Sequence, residues 1–319
     1  MNSSYLQNRA PATNYRGRFA PSPTGPLHFG SLVAAIGSYL DAKHHQGTWL
    51  VRIEDLDTPR CTVAAADSIL HTLEAFGLHS DEPVVYQSQR TAAYVETMQQ
   101  LQSSKAVYPC CCTRKEIADS AMYGIEGLVY PGNCRDGIPA GHEGRAWRVR
   151  TNAQPSPFSS SLTPIEFDDA LQGHINQNLK TEIGDFVVKR ADGLFAYQLA
   201  VVVDDAFQGI TNVVRGADLL MSTPRQIYLQ RLLGLTTLAY MHLPVAVNEA
   251  GEKLSKQTLA TPVNESQVVL TLLRVLDFLQ LQPNSELTDY DVRTILDWAV
   301  QNWDTNKLIG IQSFTHKRE

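Results

Sequence analysis

The sequence predicts an α/β protein built on a doubly wound parallel sheet, interrupted by an inserted subdomain and ended by a short helical segment. Three observations lead there. From residue 16 the pattern runs strand, loop, helix, strand, helix, the order of parallel strands joined by helical crossovers. The regularity loosens between 108 and 183, where cysteines and scattered Gly and Pro collect, and returns at 184. Two amphipathic helical patterns then close the chain.

Residues 1–15 read as a flexible polar lead, and 16–107 as the first half of the main domain. Residues 16–20 form a short strand that enters PSPTGPLHFGSL, where three prolines and a glycine between 21 and 26 stiffen the turn. Leu32, Ile36, Tyr39 and Leu40 then recur at helical spacing. TWLVRIEDLD (48–57) is the next strand, with its acids at the C-terminal end, and AAADSILHTLEAFGL is a helix closed by Gly77. The segment 108–183 holds short strands such as RAWRVR and the loop QPSPFSSSLTP. The second half of the main domain spans 184–260. There DFVVKRADGLFAYQLAVVVDD reads as a hairpin turning at Ala191 to Gly193 and leading into an apolar stretch, and ITNVVRGADLL as a strand and turn. STPRQIYLQRLLGL is a helix capped by Ser222 or Thr223, with Pro224 in the first turn, where a missing N–H costs nothing. YMHLPVAVNEAGEKLSKQ runs from a strand into a loop. The helical segment 261–319 carries patterns near 265–280 and 287–302.

Composition narrows the function. A formal net charge of −6 excludes a uniformly basic nucleic-acid coat and leaves room for a local basic stripe. No apolar run approaches a membrane span, and the N-terminus lacks the apolar core of a signal peptide. Of five cysteines, Cys61 stands alone, while Cys110, Cys111, Cys112 and Cys134 cluster. That is no secreted disulfide framework; it predicts a reducing cytoplasm and a metal candidate.

A strand, a Pro/Gly loop and a helix N-terminus form a ready anion site, and His28 stands in the first turn. Alone, His28 reads first as a helix cap. GEKLSKQ (251–257) adds two lysines around a serine on a glycine-preceded loop. Together, His28-Phe29-Gly30-Ser31 and Lys253-Leu254-Ser255-Lys256-Gln257 resemble the paired nucleotide signatures of class I aminoacyl-tRNA synthetases. RFAPSPTGPLHFGSL, RIEDLD, AYQLAVVVDD, VVRGADLL and KLSKQ also stand in the order and rough spacing of the glutamyl-tRNA synthetase group. Within it the chain resembles the short, truncated branch, the glutamyl-Q tRNA(Asp) synthetases, over about residues 16–260. Leu254 and Gln257 depart from the general signature, which has Met and Ser there.

The resemblance implies a Rossmann-like catalytic domain that activates L-glutamate with ATP and Mg²⁺, without tRNA. The glutamyl group then passes to queuosine, the wobble base of aspartate tRNA. It implies His28 and Lys256 as catalytic residues and His28, Gly30, Ser31, Lys253, Ser255 and Lys256 around ATP. For glutamate it implies a lining of Arg18, Phe19, Ala20, Pro21 and Ser22, with Glu54 on the α-ammonium, Tyr197 shaping the pocket and Arg215 on a carboxylate. Such residue types suit the ligand, since two carboxylates and an ammonium need Arg and an acid at close range. The competing reading makes Glu54, Asp55 and Arg52 a surface ion network. Asp204 and Asp205 are expected to make structural hydrogen bonds outside the site.

For the cysteines, thiolates at this density suit tetrahedral zinc. The resemblance implies one structural Zn²⁺ in the insertion, held by Cys110, Cys112, Tyr130 and Cys134. The residues themselves leave Tyr130, His142 or a water as the fourth ligand, and Cys111 is expected to point away; the bland alternative is a set of buried thiols. No membrane and no obligate protein partner are expected. The residues after the lysine loop suffice for a pair of helices, not for a separate anticodon-binding domain, so the anticodon loop itself is expected to enter the cleft. An ordinary glutamyl-tRNA synthetase and an inactive synthetase-like RNA-binding protein are the alternatives.

Overall fold

The computed structural model describes residues 15–124, 127–152, 164–254 and 261–315. Strands β1 (Arg16–Phe19) and β2 (Thr48–Ile53) pair in parallel with Arg16 opposite Thr48. Helix α1 (Phe29–His44) crosses between them, and α2 (Val63–Ala75) leads to the short β3 (Val85–Tyr86), parallel to β2. Thr62 caps α2 by accepting the Ala65 N–H, and Gly77 ends it at φ +67°, a conformation only glycine adopts without strain. Helix α3 (Thr91–Ser103) then enters the next strand, β4 (Val107–Cys110).

The middle of the chain carries α4 (Arg114–Ser120), β5 (Met122–Gly124), β6 (Gly127–Val129) and β7 (Ala146–Val149). It continues through β8 (Ile165–Asp169), β9 (Gly173–Gln177), α5 (Leu179–Glu182) and β10 (Val187–Lys189). Both β4 and β10 pair antiparallel with β7. The remainder is α6 (Tyr197–Phe207), β11 (Asn212–Gly216), α7 (Thr223–Leu232), β12 (Ala239–Leu243) and β13 (Val245–Val247), then α8 (Val268–Phe278), α9 (Val292–Gln301) and β14 (Ser313–Thr315).

Strand β11 is parallel to β12 and lies beside β1, where the Thr211 N–H donates to the Arg16 carbonyl at 3.0 Å and the Arg16 N–H to Thr211 Oγ1 at 2.9 Å. The order across the molecule is therefore β3-β2-β1-β11-β12-β8-β9. Its centre is parallel, as expected. It does not stay parallel, because β9 returns antiparallel to β8 through a tight turn. This hairpin lies in sequence within the segment 108–183 but in space extends the main sheet, with Asp169 opposite Tyr240.

Helices cover both faces. Apolar side chains of α1, α2, α8 and α9 share one buried cluster, and those of α3, α6 and α7 share the other. The C-terminal segment is thus built into the main core: Phe278 meets Phe29 edge-on at 5.6 Å, and Trp303 Nε1 donates to Asp41 at 3.0 Å. Tyr15, assigned to the polar lead by sequence, is buried and donates its hydroxyl to the same Asp41. At α7, Ser222 holds the cap position without a side-chain cap bond, and Pro224 stands in the first turn. The Thr223 hydroxyl turns instead toward Arg215 and His242.

Gly184 bridges to Tyr130 at φ +73°, and a Cβ there would lie 2.6 Å from the Tyr130 carbonyl oxygen. Gly184→Ala is therefore expected to destabilise the protein by about 1–3 kcal/mol through backbone strain alone. A urea unfolding curve unchanged from wild type would refute that close approach.

Candidate active site

A cavity of about 1020 Å³ opens where the carboxyl ends of β1, β2, β11 and β12 converge, the place parallel α/β sheets offer ligands. It collects Arg18 to Ser22, His28, Gly30, Ser31, Glu54, Tyr197, Arg215 and Lys253, residues drawn from both halves of the main domain. Ser255, Lys256 and Gln257 lie outside the described residues. The backbone on either side of them is pinned beside the His28 loop: the Leu254 N–H donates to Ala246 at 2.8 Å, and the Val263 N–H to Leu27 at 2.9 Å. Lys253 Nζ pairs with Asp218 at 2.5 Å on the cavity rim.

The strands that build the floor carry two buried arginines. Arg18 Nε meets Asp205 Oδ1 at 3.1 Å, and Arg52 Nη1 meets the same oxygen at 2.7 Å. Arg52 also donates to Glu54 at 3.1 Å and to Gln208 at 2.8 Å. Arg52 is fully buried and Glu54 is 7% exposed, so this is an interior network and not the surface one considered from sequence. Asp55 is separate from it, accepting from the Ser88 N–H and hydroxyl at 2.8 and 2.7 Å. Burial alone would raise the pKa of Asp205, but Arg18 and Arg52 outweigh it and hold the group below the usual carboxylate range. At Glu54 burial wins over the pull of Arg52 and Arg18, and the pKa is raised. Asp205 makes the structural contacts expected of it. Its neighbour Asp204 accepts from Gln87 at 2.8 Å and Tyr94 at 2.7 Å and pairs with Arg90 at 2.5 Å.

His28 is both a cap and a cavity residue. Its Nδ1 accepts the Ser31 N–H at 3.3 Å while Ser31 Oγ accepts the His28 N–H at 2.8 Å, a reciprocal cap on α1. With Nδ1 accepting, the neutral ring carries its proton on Nε2.

Arg215, 5% exposed, spans the far wall. It donates to Tyr197 OH at 3.2 Å, to Thr223 Oγ1 at 2.8 Å and to His242 Nε2 at 3.1 Å. His242 and its partner Asp169 are residues the sequence reading missed. Neither sits in a recognisable motif: Asp169 lies in EFDDA on the hairpin, and His242 reads as one polar residue in an apolar strand. Arg52 was seen only as a possible surface ion.

In the insertion, the sulfurs of Cys110, Cys112 and Cys134 lie within 4.8 Å of one another. Tyr130 OH stands 3.3 Å from Cys110 Sγ and 3.5 Å from Cys112 Sγ. His142 is exposed, with Nδ1 3.4 Å from the Ala140 carbonyl, away from this group. Cys111 does not point away as expected; its sulfur is 3.6 Å from that of Cys134. Three soft thiols and a phenol at these separations suit one tetrahedral cation, whose sulfur ligands stand about 2.3 Å from the metal. Arg148 stacks over the Tyr130 ring at 3.8 Å and donates to Cys110 Sγ at 3.4 Å, adding positive charge beside donors that must be anionic to bind.

A family model described as tRNA synthetases class I (E and Q), catalytic domain, matches residues 14–271. The chain belongs to this family. The synthetase is 56% identical to a Dechloromonas aromatica protein named glutamyl-Q tRNA(Asp) synthetase, over 91% of this chain and 94% of that one. It is 60% identical to a Cupriavidus metallidurans protein of the same name, over 79% and 80% of the two chains. Among solved structures, a glutamate-tRNA synthetase from Elizabethkingia anophelis superposes with a TM-score of 0.73 at 24% identity, over 95% of this chain and 68% of that one, which establishes likeness of fold.

Asp205→Asn leaves Arg18 and Arg52 buried without their shared countercharge, and the synthetase is expected to lose about 3–5 kcal/mol of stability at neutral pH. Because the folded pKa of Asp205 lies below its unfolded value of about 3.9, the advantage of wild type is complete above that value and shrinks as pH falls through the folded pKa. Denaturant unfolding of both proteins across pH 2–7 checks this; equal stability at neutral pH would overturn it.

Proposed function

We propose that this enzyme is a ligase that activates glutamate with ATP and transfers the glutamyl group to queuosine at the wobble position of aspartate tRNA. The carrying observation is the convergence of Glu54, Arg18 and Arg215 with the His28 helix terminus in one cavity, on a chain whose relatives bear the name of that activity.

The chemistry follows from the side chains. Glu54 is a buried carboxylate whose charged form gains from one more cation, and the α-ammonium of glutamate supplies it. Arg215 presents a guanidinium beside Tyr197 for the side-chain carboxylate, and the Arg18 to Ser22 turn lines the rest. In the first step an oxygen of the α-carboxylate attacks the α-phosphorus of ATP and pyrophosphate leaves; Mg²⁺ bound with ATP would neutralise charge on that leaving group. The developing negative charge faces the N-terminus of α1, with Gly30 and Ser31 there and His28 Nε2–H as donor. Lys253, Ser255 and Lys256 complete the phosphate contacts, and Lys256 acts chiefly in the transition state. In the second step a queuosine hydroxyl attacks the activated carbonyl and AMP leaves. Loop bases are unpaired and can be splayed into a protein cleft; with the anticodon loop entering there, no tRNA-binding domain is needed to complete the amino-acid site, and activation proceeds without tRNA.

Cys110, Cys112, Tyr130 and Cys134 would hold one Zn²⁺, which supplies folding energy to a loop-rich segment. Among the described residues no helix is long and apolar enough to cross a membrane; the cytoplasmic assignment rests on the free cysteines, which suit a reducing compartment.

An isolated anticodon stem-loop of aspartate tRNA carrying queuosine is expected to accept radiolabelled glutamate, and the same stem-loop with guanosine to accept none. Label on the terminal adenosine of a glutamate tRNA would instead identify an ordinary glutamyl-tRNA synthetase. Elemental analysis of protein purified without chelator should find about one zinc per chain, and changing both Cys110 and Cys112 to Ser should remove it. Zinc retained by that double variant would overturn the ligand assignment.

A further inference from the structure

We infer that His242 and Asp169 are positioning residues that aim the Arg215 guanidinium into the amino-acid pocket, with His242 held as the neutral tautomer protonated on Nδ1. The inference rests on the reading of Arg215 as the partner of a substrate carboxylate, and adds what sets its direction.

The side chains of His242 and Asp169 are both fully buried. Asp169 Oδ1 is occupied by backbone donors, the N–H groups of Leu171 at 3.1 Å, Gln172 at 2.9 Å and His242 at 3.2 Å. Its other oxygen faces His242 Nδ1 at 2.6 Å. On the far side of the ring, Arg215 Nε approaches His242 Nε2 at 3.1 Å. A guanidinium has only N–H groups to offer, so Nε2 must receive that bond with its lone pair. The single ring proton is then on Nδ1, donated to Asp169.

Each nitrogen of Arg215 therefore has an assigned partner: Nε on His242, Nη1 on Tyr197 at 3.2 Å and Nη2 on Thr223 at 2.8 Å. Such a plane has little freedom to turn, and a planar fork is useful to a carboxylate only if its direction is set. Asp169 reaches this wall from the β8–β9 hairpin, and Gln172 in the same turn donates to the His242 and Ile311 carbonyls, each at 2.9 Å. A purely structural role, fastening β8 to β12, would need the Nδ1–H bond to Asp169 but not an Nε2 lone pair aimed at Arg215.

Asp169→Asn separates the two. The oxygen that serves three backbone donors stays in place, so the new amide N–H₂ faces His242 Nδ1. The ring must move its proton to Nε2, where the N–H confronts the Nε–H of Arg215 and is left the Thr223 hydroxyl, 3.2 Å away, as acceptor. We expect ¹⁵N spectra of the full chain to show the exchanged tautomer. In glutamate-dependent pyrophosphate exchange, KM for glutamate should rise about 10–100-fold, the effect of losing one hydrogen bond to a charged group. The turnover number should change far less, and discrimination against glutamine should fall. His242→Gln, which restores an acceptor oxygen, should lie closer to wild type than His242→Leu; this pair decides the matter if Asp169→Asn does not fold. An exchanged tautomer with wild-type KM and discrimination, an unexchanged tautomer, or equal losses in the Gln and Leu variants would each overturn the inference. A wild-type KM in Arg215→Leu would overturn the underlying reading of Arg215 instead.

Discussion

Two guanidinium groups buried in adjacent strands of a parallel sheet are unstable without a shared anion, and Asp205 is that anion. It arrives from α6, on the opposite half of the domain, and touches Arg18 on β1 and Arg52 on β2. The bond closes the two halves of the sheet across the crossover, and in doing so fixes the floor of the cavity. Breaking one partner of a buried charge set costs far more than the set contributes beyond an apolar core. The network is therefore better understood as a device for holding geometry than as a source of stability. Glu54, next in line from Arg52, inherits its orientation from the same arrangement.

The opposite wall repeats the logic with different chemistry. Among the described residues Arg215 is held by hydrogen bonds to neutral groups, His242, Tyr197, Thr223 and the Leu219 carbonyl, and not by a carboxylate. A guanidinium neutralised by a protein acid would have less to offer an anionic ligand. One placed against neutral acceptors keeps its charge available. The asymmetry complements the glutamate proposed for this pocket, with one cationic and two anionic groups: an acid at one end, and at the other an arginine that no carboxylate among the described residues pairs. The burial of His242 and the neighbouring Arg215 lower its pKa against the pull of Asp169, which keeps the ring neutral in that role.

The cysteine-bearing segment has its own small core of Tyr108, Cys110, Tyr130 and Cys134. It is tied to the body through Asp185, which accepts from Arg135 at 2.8 Å, from Tyr108 at 2.5 Å and from Thr151 at 2.8 and 2.9 Å. A module too small to bury much apolar surface relies on such polar clamps. Its final hairpin, by contrast, has joined the main sheet, which is why Asp169 can reach the wall behind Arg215.

The sequence by itself determined the alternation of strands and helices, the proline- and glycine-rich turn at His28, the cysteine cluster and most of the cavity lining. These are local features: helical periodicity, proline and glycine at a turn, and short motifs whose residues are neighbours in the chain. Tyr130 and Arg215 could be singled out because they stand in such motifs. Only the tertiary structure decided that Arg52 is interior, that Asp205 joins two arginines, that Cys111 approaches Cys134, and that Asp169 and His242 meet behind Arg215. Each of those facts depends on which strand lies beside which. A buried ion pair between residues 153 positions apart, such as Arg52 and Asp205, has no periodic or local signature, because the pairing partner is chosen by sheet order and helix packing and not by spacing along the chain.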